Sequence, residues 1–133
     1  MKLTRASSYA LHALAHLARE RPDAPVASHD MARAAGLPEH FLLKLLKPLV
    51  GAGVLHALRG PRGGYTLARQ PKDITLLEVV EAVDGPHRGD APAVGQGKEA
   101  AFDKRLQAMC DDIAATVRQR LARVTLADLA RGK

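Results

Sequence analysis

The sequence predicts a mainly α-helical fold with a small β-hairpin wing, a winged helix-turn-helix domain followed by a long C-terminal dimerisation helix. Two short helical segments meet at Gly36, two short apolar runs flank a glycine-rich turn, and an apolar stripe follows the last third of the chain. With 133 residues and 3% aromatics, the chain can fill one modest, aliphatic core. We predict a helix-turn-helix domain at 1–84, a flexible loop at 85–97 and a dimerisation helix with a C-terminal turn at 98–133.

The first two helices follow from apolar spacing and from their caps. Helix one is predicted from an N-cap at Thr4 to the residue before Pro22, because its apolar residues recur at three- and four-residue steps. Helix two is predicted from a cap at Ser28 to Ala35. Gly36 then suits a left-handed C-terminal stop, since glycine adopts positive φ without steric cost.

Helix three is predicted to carry Pro38 in its first turn, where a missing N–H costs nothing. Pro48 lies inside the same pattern, so we expect a bend or an early end there. Strands are predicted at 54–59 and 65–67, joined by a turn at 60–64. The buried stripe of helix three is aliphatic and consists of Leu42, Leu45, Leu46 and Leu49.

The C-terminal half contains three further predicted helices. The segment TLLE at 75–78 is a capping box, and it starts a short helix that runs to about Asp84. Residues 84–97 are rich in glycine and proline and have no apolar period, which predicts the loop. A long helix is predicted from about residue 99 to 123, and a last capped turn at 125–130.

The apolar stripe of the long helix resembles a coiled-coil seam, because its members are spaced by three or four residues. A helix of this length would overhang the preceding domain and leave apolar area exposed. We therefore predict a homodimer, with packing onto the helix's own domain as the alternative. The predicted dimer residues are Phe102, Leu106, Met109, Ile113, Val117, Leu121 and Val124.

The positive charge is confined to the first half of the chain. The formal net charge is +6; residues 1–70 contribute all of it, whereas residues 71–133 are neutral. A basic half points to a polyanion, although a solvated basic surface would look the same. The few, scattered aromatics do not form a stacking platform for single strands, so duplex DNA is the predicted partner.

In a helix-turn-helix the first turn of the second helix faces the base edges of the major groove. The exposed candidates opposite the leucine stripe are Glu39, His40 and Leu43, which can accept from cytosine, bond a base edge and touch a thymine methyl, respectively. Lys44 and Lys47 lie where phosphates would run, so they are expected to add affinity without sequence information.

The hairpin supplies a second set of predicted contacts. Arg59 and Arg62 flank a glycine tip and can enter a minor groove or clamp phosphates. Tyr65 could bond a phosphate or pack beneath the wing. The predicted DNA-binding residues also include Ser28, Thr4 and Lys2.

Several blocks of the sequence resemble the Rrf2 family of bacterial winged-helix regulators. They are Leu3-Thr4 with Tyr9-Ala10, GLPEHFLLKLLKPLVGAGVL at 36–55, RGPRGGYTLAR at 59–69, ITLLEVVEAVDG at 74–85 and TLADL at 125–129. The resemblance implies a transcription regulator that reads DNA with helix three, chiefly through Glu39, His40 and Leu43. It also implies that Arg59 contacts DNA and that the long helix forms the homodimer. A repressor of a near-palindromic operator is the expected function.

The chain departs from the family at one point. Members that sense iron, nitric oxide or redox state hold an iron–sulfur cluster with three cysteines between the capping-box helix and the long helix. Residues 84–109 contain no cysteine, and Cys110 is alone, whereas a cluster normally needs three or four thiolates. We expect no cluster and no other cofactor; the effector could be a small molecule or a partner protein.

Three histidine or cysteine sites could have a metal-binding or redox role, but an ordinary structural role is preferred for each. His12, His16 and Glu20 have the spacing of metal ligands but lack a fourth, so a solvated or DNA-facing helix side is preferred. His87 is expected to be a solvent histidine. Cys110 is expected to be a buried, inert thiol, although a redox role stays open.

Other classes of protein are less well supported. The sequence shows no nucleophile–base pair, carboxylate pair or phosphate loop, which argues against an enzyme. The chief alternative is a non-specific architectural DNA-binding protein, and a protein-interaction module is a further one. The chain has neither a secretory N-terminus nor an apolar run of about 20 residues, so we expect a cytoplasmic protein with no membrane partner.

Overall fold

The computed structural model describes residues 1–131, so the last two residues of the predicted 98–133 segment lie outside the described part of the chain. A two-stranded hairpin and a set of helices make up the fold, which confirms the predicted class. In chain order the elements are α1 (Arg5–Glu20), α2 (Ser28–Ala35), α3 (Glu39–Gly51), β1 (Leu55–Leu58), β2 (Gly64–Leu67), a 3₁₀ turn (Pro71–Asp73), α4 (Leu76–Asp84), α5 (Lys98–Leu121) and α6 (Leu126–Ala130).

The first helix begins as predicted. The Thr4 side chain accepts a hydrogen bond from the Ser7 amide at 3.0 Å, which satisfies one of the free N–H groups at the helix start. Arg21 ends the helix in the left-handed conformation, with φ of 44°. Gly36 ends α2 in the same region, with φ of 70°, as its position in the sequence predicted.

Ser28 does not cap α2, so that prediction was wrong. The capping position is Ala27, which has no side-chain cap, and Ser28 is the first helical residue. The physical reason lies across the turn: the Ser28 hydroxyl donates to the Glu39 carboxylate at 2.9 Å instead of accepting from its own helix.

Helix α3 continues through Pro48 to Gly51, so the expected early end was also wrong. Proline removes only the bond from its own nitrogen to the Lys44 carbonyl, and the Pro48 carbonyl still accepts from the Ala52 amide at 3.0 Å. Pro38 precedes the first helical residue rather than lying inside the first turn. The leucine stripe is buried as predicted, and its members are at most 7% exposed.

The wing is a short antiparallel hairpin in which Leu55 pairs with Leu67 and Leu58 with Gly64. Its second strand is attached to the segment before α2, because Val26 and Tyr65 exchange backbone hydrogen bonds of 3.0 and 2.9 Å. A Cβ atom on Gly64 would come within 2.5 Å of the Val26 carbonyl oxygen, so this close approach requires glycine.

The last helix packs with the first domain. Leu126 is 1% exposed and belongs to the same core as Leu14 and Leu46. The chain before α6 pairs with the residues before α4 through an isolated bridge between Thr75 and Thr125. We therefore define the head as residues 1–84 together with 125–131, which places the closing turn of the predicted 98–133 segment in the head.

Residues 85–97 have no helix or strand, as predicted, but they are attached to α5 along their length. The Asp103 carboxylate accepts from the Val94 and Gly95 amides at 3.0 and 2.7 Å. The Gln107 amide accepts from Ala91 and donates to the Gly89 carbonyl, both at 3.0 Å. We call residues 85–97 the strap and α5 the rod.

Within residues 1–131, no helix combines the length and the apolar character that crossing a bilayer requires.

Candidate DNA-binding surface

The exposed side of α3 carries all the residues that the sequence assigned to DNA contact in this helix. Glu39, His40, Leu43, Lys44 and Lys47 are exposed, whereas the four leucines of the same helix are buried. Leu43 is 48% exposed and adds an apolar group to this polar face. The helix thus presents donors, acceptors and one apolar group to an external partner.

Glu39 is held in place before any partner arrives. One of its carboxylate oxygens accepts from Ser28, which links the starts of α2 and α3. The carboxylate has further acceptor capacity that a cytosine amino group can use. Ser28 thus helps to orient the side chain of Glu39 on this surface.

His40 lies against a ring that sequence reasoning missed. The centroids of His40 and Phe41 are 4.4 Å apart, and Phe41 also contacts Tyr9 with centroids 6.0 Å apart. These contacts limit the conformational freedom of the imidazole, so less entropy would be lost if it were ordered by a bound partner. Phe41 is 43% exposed; the signal in the sequence was an aromatic residue that falls off the leucine stripe.

The wing places Arg59 and Arg62 in exposed positions on either side of its turn. The turn closes through a 2.9 Å bond from the Gly63 amide to the Gly60 carbonyl. A Cβ on Gly63 would come within 2.2 Å of the Leu58 carbonyl oxygen, so glycine keeps the tip narrow. A narrow tip with flanking arginines has the shape and charge to follow a groove or a phosphate row.

Tyr65 is half-buried and packs against the core, which favours the packing role over the phosphate contact. Arg69, a further basic residue of the first half, is committed inside the head. It forms an ion pair with Glu78, and this hydrogen bond raises the pKa of the Arg69 guanidinium. Arg69 also donates to the carbonyls of Gly53 and Asp73 at 3.2 and 2.9 Å.

The N-terminus is fixed by a network that includes a residue the sequence did not single out. The Thr4 hydroxyl donates to the Asp84 carboxylate at 2.7 Å, and the fully buried Ser7 hydroxyl donates to it at 2.5 Å. Thr4 is therefore engaged as a helix cap and as a donor to Asp84, whereas Lys2 is exposed. The sequence feature that could have pointed to Asp84 is its position as the last residue of the capping-box helix.

The predicted dimer stripe divides into two parts. Phe102, Leu106, Met109 and Ile113 are exposed by 39–63%, so the outer part of the rod carries an uncovered apolar face. Leu121 is 4% exposed, because the inner end of the rod packs on its own head. Val117 and Val124 are half-buried. The structure thus places the last part of the stripe within one chain.

The predicted single residues fall in separate places. His12 is exposed and His16 is half-buried on α1, whereas His87 is half-buried in the strap. Within residues 1–131 the structure does not bring three or more His, Cys, Asp or Glu side chains together as a metal-binding group. Cys110 is half-buried on the rod beneath the strap.

Comparison with known proteins places the chain among regulators of transcription. A family model described as "Rrf2: Iron-dependent Transcriptional regulator" matches residues 3–132. A putative HTH-type transcriptional regulator, rrf2-like, of Rhodobacter capsulatus is 41% identical over 87 residues, which cover 63% of this chain and 58% of the relative. A putative HTH-type regulator of Mycobacterium tuberculosis is 31% identical over 135 residues, covering 99% of this chain and 83% of the relative.

The HTH-type transcriptional regulator CymR of Bacillus subtilis is 33% identical over 86 residues, which cover 65% of this chain and 62% of the relative. The chain thus spans about three fifths of the length of two of these relatives. The solved structure of this CymR, the global cysteine regulator, matches with a TM-score of 0.75 at 27% identity and covers 100% of this chain and 98% of that one. T. potens IscR matches with a TM-score of 0.67 at 27% identity, covering 97% and 85%.

The iron in the family description does not fit the residues of this chain. Iron–sulfur clusters are usually held by four cysteine thiolates, two of which are replaced by histidines in Rieske centres, whereas the chain has one cysteine. The residues that the structure describes also offer no cluster of nitrogen and oxygen donors that could replace them. We therefore assign no step of the function to iron.

Proposed function

We propose, from the premise that the chain belongs to the Rrf2 family of transcriptional regulators, that it binds a specific duplex operator through α3 and the wing. The observation that carries the proposal is the division of α3 into a fully buried leucine side and an exposed side with Glu39, His40 and Leu43. A helix with one face buried and its first turn exposed can enter the major groove and contact base edges.

The exposed residues divide into two roles. Glu39, His40 and Leu43 read bases, because their groups match a cytosine donor, a base edge and a thymine methyl. Lys44, Lys47 and the wing arginines neutralise phosphates, which supplies affinity and salt dependence. Lys2 extends the same basic surface at the N-terminus.

The active form is a homodimer joined through the outer part of the rod. Support comes from the uncovered stripe of four large apolar side chains, which would cost free energy if it stayed in water. A two-fold dimer presents two α3 helices, so the operator has dyad symmetry with half-sites about one helical turn apart. The regulator acts where the chromosome lies, in the cytoplasm.

The expected effect on transcription is repression, because a dimer that occupies two successive major grooves excludes polymerase from an overlapping promoter. An effector, either a small molecule or a protein, would act by changing the angle between the two heads. The strap adjoins the junction of head and rod, which makes it the entry point for that signal.

The test is the specificity ratio. We expect the purified protein to bind its best genomic fragment at least about a thousandfold more tightly than a scrambled duplex of the same length. Equal affinity for both would favour the architectural alternative. Arg59→Ala should weaken binding by about tenfold or more, whereas the matched Arg105→Ala on the rod should not. Unchanged binding in Arg59→Ala would contradict the role of the wing.

A further inference from the structure

The rod is attached to the head at one end. Leu121 is buried at its inner end, and Ala114 is 7% exposed two turns further out. Directly after the rod, the Val124 carbonyl accepts from the Leu76 amide at 2.8 Å, and the Leu126 amide donates to Ile74 at the same distance. These backbone bonds make a fixed pivot, and the outer half of the rod extends away from it with its apolar face uncovered.

One carboxylate connects the rod to α4 beyond this pivot. Glu81 accepts from the Arg118 guanidinium at Nε and Nη2, with distances of 2.9 and 3.1 Å. Among the described residues this is the one ion pair that links the rod to the head. The Arg118 hydrogen bond is the main reason why the pKa of Glu81 lies below its ordinary value.

Glu81 also holds the start of the strap. The backbone amide of His87 donates to the same carboxylate at 2.8 Å, so α4, the strap and the rod meet at a single side chain. The Glu81 side chain is 21% exposed, whereas that of Arg118 is 46% exposed. A partly buried, bidentate carboxylate fixes direction better than a surface pair does, because both oxygens are engaged.

Beyond His87, the strap is bound to the rod and, within the described part of the chain, adds no second link of this kind to the head. It is bound to the rod through Asp103 and Gln107, as described above. It also lies directly on the helix backbone, since a Cβ on Gly89 would come within 2.4 Å of the Cys110 carbonyl carbon. Strap and rod therefore form one unit, and a tilt of that unit acts on Glu81.

A small tilt of the rod relative to the head would move the outer end of the rod by a large distance. The rod extends for about 30 Å beyond Arg118, at about 1.5 Å for each residue. A tilt of about 10° would move that end by about 5 Å, which exceeds the rise of about 3.4 Å between base pairs. Two recognition helices on such a dimer keep one spacing only if the angle between head and rod is held.

We propose that Glu81 is the positioning residue that sets the angle between head and rod and thereby the half-site spacing that the dimer accepts. The inference rests on the proposed function, since it needs a dimer with two DNA-reading heads. Glu81 touches neither DNA nor the partner in this scheme; it acts through Arg118 and the His87 amide.

The first experiment measures spacing preference. Wild type, Glu81→Ala, Arg118→Ala and the charge swap Glu81→Arg with Arg118→Glu are titrated with operator duplexes whose half-sites are separated by zero, one or two extra base pairs. We expect wild type to prefer one spacing by about tenfold or more, and both alanine variants to bind all spacings within about threefold. The charge swap restores the ion pair but not the hydrogen bond from the His87 amide, so it should recover part of the preference. Arg120→Gln, which removes a charge from the same turn, should retain the preference in full.

A merely structural role would give a different pattern. Loss of stability lowers the binding-competent fraction equally for every duplex and leaves the preference unchanged. Thermal unfolding of each variant measures that contribution separately. A wild-type spacing profile in both alanine variants would overturn the inference.

The second experiment needs no DNA. In a Cys110→Ser background, a spin label at Glu20→Cys reports the distance between the two heads of the dimer by double electron–electron resonance. We expect a narrow distribution for wild type and a broad one for Glu81→Ala; an equally narrow one would overturn the inference. A broad distribution in the variant, together with a wild type that does not discriminate operator from scrambled DNA, would support the inference and contradict the proposed function. A monomer would contradict both.

Discussion

Single residues on α3 are expected to have distinct tasks in DNA binding, because their chemistry and their fixation in the structure differ. Glu39 and His40 are held by Ser28 and Phe41, respectively, so their directions are set before DNA arrives. Lys44 and Lys47 are exposed and have flexible stems, which suits a phosphate row whose exact position varies. Base contacts should therefore change specificity, and lysine contacts should change the salt dependence.

We predict that Lys44→Ala lowers affinity by a similar factor for operator and scrambled DNA. It should also reduce the slope of log K against log salt by about one, because one fewer counterion is released. Fluorescence anisotropy at a series of salt concentrations measures both quantities. Lys104→Ala on the rod is the control; a similar slope change there would show that the effect is one of net charge.

Glu78 makes a pH-dependent contribution to the stability of the fold. Burial alone would raise the pKa of Glu78, but hydrogen bonds from Arg69 and Thr75 outweigh it and hold the pKa below its ordinary value. A carboxylate with a lowered pKa in the folded state stabilises the fold above its unfolded pKa. That stability is lost as pH falls through the folded pKa.

Glu78→Gln should therefore lower the free energy of unfolding by about 1 kcal/mol at neutral pH. The difference from wild type should shrink in acid, below the ordinary pKa of a glutamate. Denaturant titrations at several pH values measure it, with the exposed Glu20→Gln as the control. A difference that stayed constant from neutral to acid pH would contradict the assignment.

At the scale of elements, the sequence predicted the six α-helices and the hairpin of the described residues, but not the 3₁₀ turn at Pro71–Asp73 or every helix boundary. The caps at Thr4, Gly36 and Thr75 were found because local hydrogen bonds decide them. Ser28 was misassigned because its partner, Glu39, belongs to another helix. The early end at Pro48 did not occur, because buried leucines on both sides of it stabilise the helix by packing.

The exposed face of α3 was accessible to sequence reasoning because it is the complement of the leucine stripe. Phe41, Asp84 and Glu81 were not found, since each acquires its role from a contact with a residue far away in the chain. The loop at 85–97 was found as a break in the helices. Its attachment to Asp103 and Gln107 was not, because glycine and proline content indicates only the absence of regular structure.

Substitution of two glycines by alanine should have opposite effects on stability, because one glycine is required by a close backbone approach and the other lies in an ordinary helical position. Gly64→Ala should destabilise the wing strongly, because the new Cβ would meet the Val26 carbonyl group at 2.5 Å. Gly51→Ala, on α3 with open space around it, should instead stabilise the protein by up to about 1 kcal/mol. Thermal unfolding measures both, and equal effects would show that the hairpin does not need its contact with Val26.

At the scale of the whole molecule, the uncovered apolar face of the rod is the basis for the proposed dimer. Met109 and Ile113 are more than 60% exposed, and the core of the head does not include either of them. A change in this face should therefore alter assembly while the head stays folded.

We predict that Ile113→Asp is a folded monomer, because dimerisation would bury an unpaired carboxylate. Its affinity for the full operator should fall by about a hundredfold or more, since the second half-site no longer contributes. Sedimentation velocity gives the mass, and circular dichroism the fold. Gln119→Asp, off the stripe on the same helix, should remain dimeric; a dimeric Ile113→Asp would place the interface elsewhere.

The central claim is that two copies of the head, joined by their rods, read a symmetric duplex. Genome-wide capture of the DNA bound to the purified protein tests it most directly. The account predicts a small set of enriched sites that align on a dyad, with half-sites about one helical turn apart and with Arg59 required for their enrichment. Recovery of fragments without a common motif, or of a motif without dyad symmetry, would contradict it.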